Sequence, residues 1–383
     1  MERVTGMLND AHYVPVLRWK QAEKDALQWL RDEDKARLMP LLEIIPRTFR
    51  TKDNKKSLPV RPVLREIAQE IETSWGSSPV FIDVEHVIRA GLRDPSGSHL
   101  LEVLAQEKRN LLPLFPGSSN LVPVTGLSRS EDCQKTVSSI IEEDKTGACF
   151  RIPVHEVSHP KLADKLEMLL GRLKLDVADV DLLVDYQAPN GSHPDLKTLC
   201  SALPQLSKWR SFIVLIGAFP IDLQKLEKNC QHNLPRDDWL FWRDQMMTLP
   251  RDVRRPTFGD YTIQHPIYQE PPEHSNPSAS IRYTHSEYWV IMRGEGLKNE
   301  DGPGHQQYRA EAQLLCDMDE FCGAAFSRSD RYIREVSRRS NNPGNPYTWL
   351  RAGMNHHMTF ATRQIIQFAE RLNRSRTAVG VGG

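Results

Sequence analysis

Six residues, Arg18, Lys20, Glu43, Asp83, Arg151 and Asp185, stand at or just beyond the end of a short apolar run, where a buried strand would surface and hand its next side chain to solvent. Thr125, Tyr186, Gln187, Asp260 and Tyr261 occupy similar places, and Glu85 and His86 follow Asp83 directly. A mixed ring of this kind has a defined chemistry. Carboxylate oxygens hold a hard divalent cation, with Mg²⁺ the compatible choice, while Arg and Lys hold phosphate oxygens, which together suit phosphoryl or phosphodiester transfer. A second use needs no metal: one carboxylate of raised pKa acts as acid and another as base, as in a glycosidase-like pair. The structural alternative is that Arg18–Glu43 and Arg151–Asp185 are ion pairs tying adjacent strand ends together. On the first reading Glu43, Asp83 and Asp185 are the acids or metal ligands, and Arg18, Lys20 and Arg151 are the clamps.

The elements that must position these groups alternate from the start of the chain. Strand-like runs fall at Val14–Arg18, Met39–Ile44, Val80–Val84, Leu121–Thr125, Ala148–Ile152, Asp181–Asp185, Phe212–Ala218 and Phe258–Thr262, with helical stretches between them. Several runs are apolar without alternation, as expected for parallel strands buried on both faces. Eight strand–helix alternations before residue 265 predict an α/β chain folded as a (β/α)8 TIM-barrel-like body, which takes about 250 residues. In such barrels the C-terminal strand ends carry the site. The fourth strand has a rival in Leu111–Phe115, equally apolar. The expected organisation is a barrel body over 1–265, an insertion with a β-hairpin over 266–305, and a C-terminal helical segment over 306–383 that caps and completes the barrel.

The insertion adds candidates of its own. Ser280–Thr284 and Glu287–Gly294 read as paired strands that would lie over the barrel mouth as a lid and lend Arg282, Tyr283 and Arg293 to a ligand, with Gly294 allowing close backbone approach. The alternative packs Tyr288 and Trp289 on the barrel and leaves both arginines to solvent or carboxylates. His356 and His357 are adjacent, so on a helix they point about 100° apart and make poor metal co-ligands, unlike an i,i+4 pair. No metal site is expected from them, although one could reach the site as an acid–base group. Arg328, Arg331, Arg334, Arg338 and Arg339, with Tyr332 and Tyr347, are the best nucleic-acid candidate, or else a solvated helix face.

Other classes are excluded or disfavoured. There is no Gly-x-Ser-x-Gly, no Gly-x-x-x-x-Gly-Lys-[Ser/Thr] and no Gly-x-Gly-x-x-Gly, which argues against α/β-hydrolases, phosphate-loop motors and classical dehydrogenases. The 383 residues are 39% hydrophobic and 26% charged, which excludes a wholly disordered or coiled-coil chain. The longest apolar run, Phe212 to Ile221, is well short of the about 20 residues of a membrane span, and Met1–Pro15 lacks signal-peptide features, so a cytoplasmic protein is expected. Six cysteines, never as Cys-x-x-Cys, fit reduced packing residues. Net charge is zero, but Phe321–Gly383 holds ten Arg against three acids, leaving 40 basic and 47 acidic residues before it. A basic segment is thereby set against an acidic body.

Tyr13–Leu27 with its Arg-x-Lys-x-x-Glu pattern, Pro40–Ile44, Phe81–Asp83, Ile281–Thr284, Met292–Gly294, Phe326-Ser327 with Asp330, and Asn355–His357 together resemble the phage-type "beta protein" family, from about Tyr13 to Ile366. The positions that match its motifs are Arg18, Lys20, Glu23, Glu43, Asp83, Arg282, Tyr283, Arg293, Gly294 and His357. Ser327-Arg-Ser-Asp330 departs from the pattern, where glycine is expected before the Asp. The resemblance implies a bacterial or phage setting and a part in anti-phage defence or phage–host conflict, and it carries no reaction. Two functions are open. One is a barrel-mouth site that binds a phosphate-bearing ligand, an anionic small molecule such as a nucleotide, with hydrolysis left open. The other is a non-catalytic barrel that docks a protein partner such as a toxin, nuclease or sensor. Nucleic acid is the lesser expectation, and no membrane partner is expected.

Overall fold

The computed structural model describes residues 8–46, 60–91, 94–111, 118–188, 193–270, 274–338 and 342–379. Eight parallel strands close into a barrel in the order β1-β2-β3-β4-β5-β6-β7-β9. They are β1 (Tyr13–Arg18), β2 (Leu41–Glu43), β3 (Val80–Asp83), β4 (Leu121–Thr125), β5 (Ala148–Pro153), β6 (Val180–Asp185), β7 (Ser211–Ile216) and β9 (Thr257–Asp260). Helices flank them, giving the (β/α)8 TIM-barrel-like α/β fold. The sequence explains the closure: every residue of β1, β2, β3, β4, β6, β7 and β9 is buried, so both faces are covered and continuous apolar runs suffice. The fourth strand is Leu121–Thr125, and most of the rival Leu111–Phe115 lies outside the described residues.

The chain divides into two compact units. The first, residues 1–19, 38–216 and 244–260, holds the barrel strands. The second comprises residues 20–37, 217–243 and 261–383. It contains a three-stranded antiparallel sheet in the order β10-β11-β8, from β8 (Cys230–Pro235), β10 (Ser278–Thr284) and β11 (Tyr288–Gly296). The hairpin read from the sequence is thus two strands of three. No described helix is long and apolar enough to cross a membrane.

The core of the second unit is apolar, with Ile281, Tyr283, Val290, Met292, Tyr308, Leu315, Ile333 and Trp349 packed together. Gly294 sits at its edge because nothing larger fits: an added methyl group would fall on Gln307 Oε1 and lie 2.6 Å from Glu311 Oε1. Gln307 cannot swing away freely, since Oε1 accepts from the Glu295 amide at 2.7 Å and Nε2 donates to the Gly304 carbonyl at 2.6 Å. Gly294→Ala is therefore expected to cost about 1–3 kcal/mol, the usual range for overpacking. Chemical denaturation measures it, and an unchanged midpoint would contradict the packing described.

Candidate functional site at the barrel mouth

Register brings the charged strand ends of the first unit together. Arg18 pairs with Glu43 across β1 and β2, and Glu43 with Asp83 across β2 and β3, so three final residues form one lateral row. Laterally paired residues of parallel strands project to the same face. Asp185 ends β6 in register with Pro153, and Arg151 lies two residues before Pro153, hence on the same face of β5.

The row converges on one guanidinium. Arg151 Nη1 donates to Glu43 Oε1 at 2.9 Å and to Asp83 Oδ2 at 2.8 Å, while Nε and Nη2 donate to Asp185 Oδ2 at 3.0 and 2.8 Å. The remaining carboxylate oxygens are also held. Asp83 Oδ1 accepts from the Glu85 amide at 2.9 Å and from Arg129 Nη2 at 2.7 Å; Arg129 pairs in turn with Glu85. Asp185 Oδ1 accepts from the amide of Gln187, a residue in the left-handed region with φ +53°. Glu43 Oε2 lies 3.0 Å from His86 Nε2 and 3.9 Å from Arg18 Nε. Burial alone would raise the Glu43 carboxyl, but Arg151 and His86 outweigh it and hold the pKa down to about 2. Burial likewise opposes Arg129, Arg151 and the Glu85 amide at Asp83, and again the partners win, holding that carboxyl well below the usual range.

The charges are layered. Glu43, Asp83 and Asp185 side chains are 4%, 1% and 4% exposed, whereas Arg18, Arg151 and His86 are 9%, 14% and 18% exposed. The acids are the most deeply buried members, Arg18 is buried beside them, and Arg151 and His86 are the more exposed. The three acids surround a guanidinium, and among the described residues no group of His, Cys, Asp and Glu is arranged to hold a metal ion. The donor set therefore does not fit Mg²⁺.

Of the residues expected from the sequence, Arg18, Glu43, Asp83, Arg151 and Asp185 thus share one cluster. The other five belong to the second unit. The Lys20 ammonium lies 4.7 Å over the Tyr268 ring. Arg282 is held by the Ile263 carbonyl at 2.9 Å with its guanidinium 4.9 Å over Phe219, and burial lowers its pKa to about 10. Arg293 donates to the carbonyls of Gln224, at 3.0 Å, and Leu226. Tyr283 donates to Asp330 Oδ1 at 2.6 Å, and His357 Nδ1 lies 2.8 Å from Thr284 Oγ1. Arg339, named with the basic tail, lies outside the described residues.

Sequence reasoning placed His86 near the mouth without giving it a role, and overlooked Arg129. It also overlooked a buried network in the second unit, where Asp330 Oδ2 meets His356 Nδ1 at 3.0 Å and Ser327 Oγ at 2.5 Å. Ser327-Arg-Ser-Asp330 forms no glycine turn. Ser327 Oγ accepts from the Asp330 amide at 3.1 Å at the start of helix Arg328–Arg338, and Ser329 lies within that helix.

A family model described as Beta protein matches residues 13–363. No curated protein matches the chain.

Proposed function

This chain belongs to the Beta protein family, and from the chemistry of its barrel mouth we propose that it binds a phosphate-bearing ligand such as a nucleotide there. The observation that carries the reading is the cluster itself: two arginines and an imidazole gathered at the strand ends, each beside a buried carboxylate and each somewhat more exposed than it. Phosphate oxygens would be drawn to the positive charge of Arg18 and Arg151. Glu43 orients the imidazole of His86, which on this reading is the group that exchanges a proton with a phosphoester oxygen. Glu43 is then a positioning residue, and Asp83 and Asp185 hold Arg151 in place; none of the three is assigned as nucleophile or metal ligand. The setting we propose, the bacterial cytoplasm in phage–host conflict, rests on the family resemblance.

The test is thermal stabilisation and orthophosphate release with ATP, AMP and orthophosphate as probes. Stabilisation that disappears in Arg18→Ala is expected, as is a fall in release of at least about 100-fold in His86→Asn with stabilisation retained. Absence of any Arg18-dependent stabilisation sinks the proposal. A second reading is favoured by the dense engagement of Arg151, which is typical of a structural ion-pair cluster: a non-catalytic barrel that docks a protein partner. It predicts that the same probes produce no shift.

A further inference from the structure

The basic tail supplies a separate observation. The second unit contains a cavity of about 570 Å³, within the usual range for small-molecule sites, walled by Trp29, Arg31, Arg328, Arg331, Tyr332 and Arg351. Four arginines line it against a single acid, Glu335. Aromatic rings position two of these guanidiniums, while Arg31 lies 3.4 Å from Glu33. Arg351 lies 3.8 Å over Trp29, 5.7 Å over Tyr332 and 5.5 Å over Tyr347, and Arg328 lies 4.8 Å over Trp29. The nearest charge to Arg351 is Asp25 at 3.8 Å, and Asp25 also accepts from Tyr347 and from Gln21 at 2.9 Å. Among the described residues no carboxylate pairs with Arg328 or Arg331, and Arg351 Nε has no hydrogen-bond partner. Arg31 is anchored by the Ala325 carbonyl at 2.6 Å.

Stacking of Arg328 and Arg351 on aromatic rings restricts these two guanidiniums without taking up the N–H donors of Arg328, which suits the planar recognition of phosphate. Their planes also offer a stacking surface to a nucleobase. The cavity meets the start of helix Arg328–Arg338, but that terminus is not the anchor, since Asn355 Oδ1 takes the Ser329 amide at 3.2 Å and Ser327 takes that of Asp330. The arginine side chains must do the holding.

We infer that this cavity is a second anion site, distinct in its residues from the barrel mouth, that takes a nucleoside diphosphate or triphosphate. Binding is read by calorimetric titration of ADP into the full chain carrying Arg18→Ala, so that the barrel mouth proposed above cannot supply the signal. Saturable one-site binding is expected. Adding Arg328→Ala or Arg331→Ala weakens it about tenfold each, the scale of one charge-assisted hydrogen bond, and the two together abolish it. Both residues are exposed, so an unchanged thermal midpoint without ligand checks that the variants fold. A 5′-phosphorylated oligonucleotide serves as the competing probe. No ADP binding, binding indifferent to Arg328 and Arg331, or tighter binding of the oligonucleotide than of ADP each overturns the assignment.

Discussion

Arg151→Met will destabilise the protein by about 3–5 kcal/mol, the usual cost of removing one partner from a buried ion cluster. Methionine fills comparable space, so little of the loss comes from a cavity. It comes from Glu43, Asp83 and Asp185, which would keep their burial and lose the guanidinium that all three share. Lysine cannot replace it, because a point charge cannot serve donors to three carboxylates in one planar fork. The pH dependence separates this cause from simple misfolding. In the wild type the folded-state pKa of Glu43, about 2, lies below its unfolded value near 4.5, so its contribution is complete above about pH 4.5 and is lost as pH falls toward 2; Asp83 behaves likewise. In Arg151→Met, burial loses its strongest opponent at Glu43 and, after Arg129, its second at Asp83, so both of these carboxyl pKa values rise and proton uptake stabilises the folded state as pH falls. The deficit should therefore be greatest near neutral pH and shrink below about pH 4.5. Urea denaturation at pH 7 and pH 4 measures it, and a deficit under 1 kcal/mol, or one that grows in acid, refutes the shared-guanidinium account.

Asp330→Ala should cost about 3 kcal/mol or more. Asp330 is fully buried and is the common acceptor for Tyr283, Ser327 and His356, so truncation strands several buried polar groups at once, each costing about 1–3 kcal/mol when left unmade. Stacking will not compensate, because Tyr283 already stacks on the His356 ring at 3.8 Å. Asp330→Asn should lose less, since its carbonyl still accepts while its amide cannot. Burial opposes ionisation of Asp330, but His356 and the hydroxyl donors hold its carboxyl below the usual range, so acid should erode this contribution as well. Equal stability of the alanine and asparagine variants would show that hydrogen bonding to Asp330 contributes little.

The barrel was legible because burial on both faces writes itself as uninterrupted apolar runs, as in Ser211–Ile216. Strand β8 was missed for the opposite reason. Its residues, Cys230–Pro235, alternate between half-buried and exposed, and no large apolar side chain except Leu234 marks the covered face. The gathering of Arg18, Glu43, Asp83, Arg151 and Asp185 followed from strand-end position. That the acids converge on Arg151 did not, since ring membership says nothing of which side chain reaches across. Asp330 and His356 were legible only as part of a family resemblance: a lone Asp in an Arg-rich helix and one of two adjacent histidines carry no periodic signal of partnership. The fit of Gly294 likewise depends on Gln307 and Glu311, remote from it in sequence.

The central claim, that the arginines of the barrel mouth receive a phosphate group, is tested most directly by a crystal structure of the full chain with ATPγS. The account predicts an anomalous sulfur peak or phosphate density within hydrogen-bonding distance of Arg18 or Arg151, with His86 still on Glu43. Nucleotide bound solely between Trp29 and Arg331, or an unaltered mouth at saturating ligand, would contradict it.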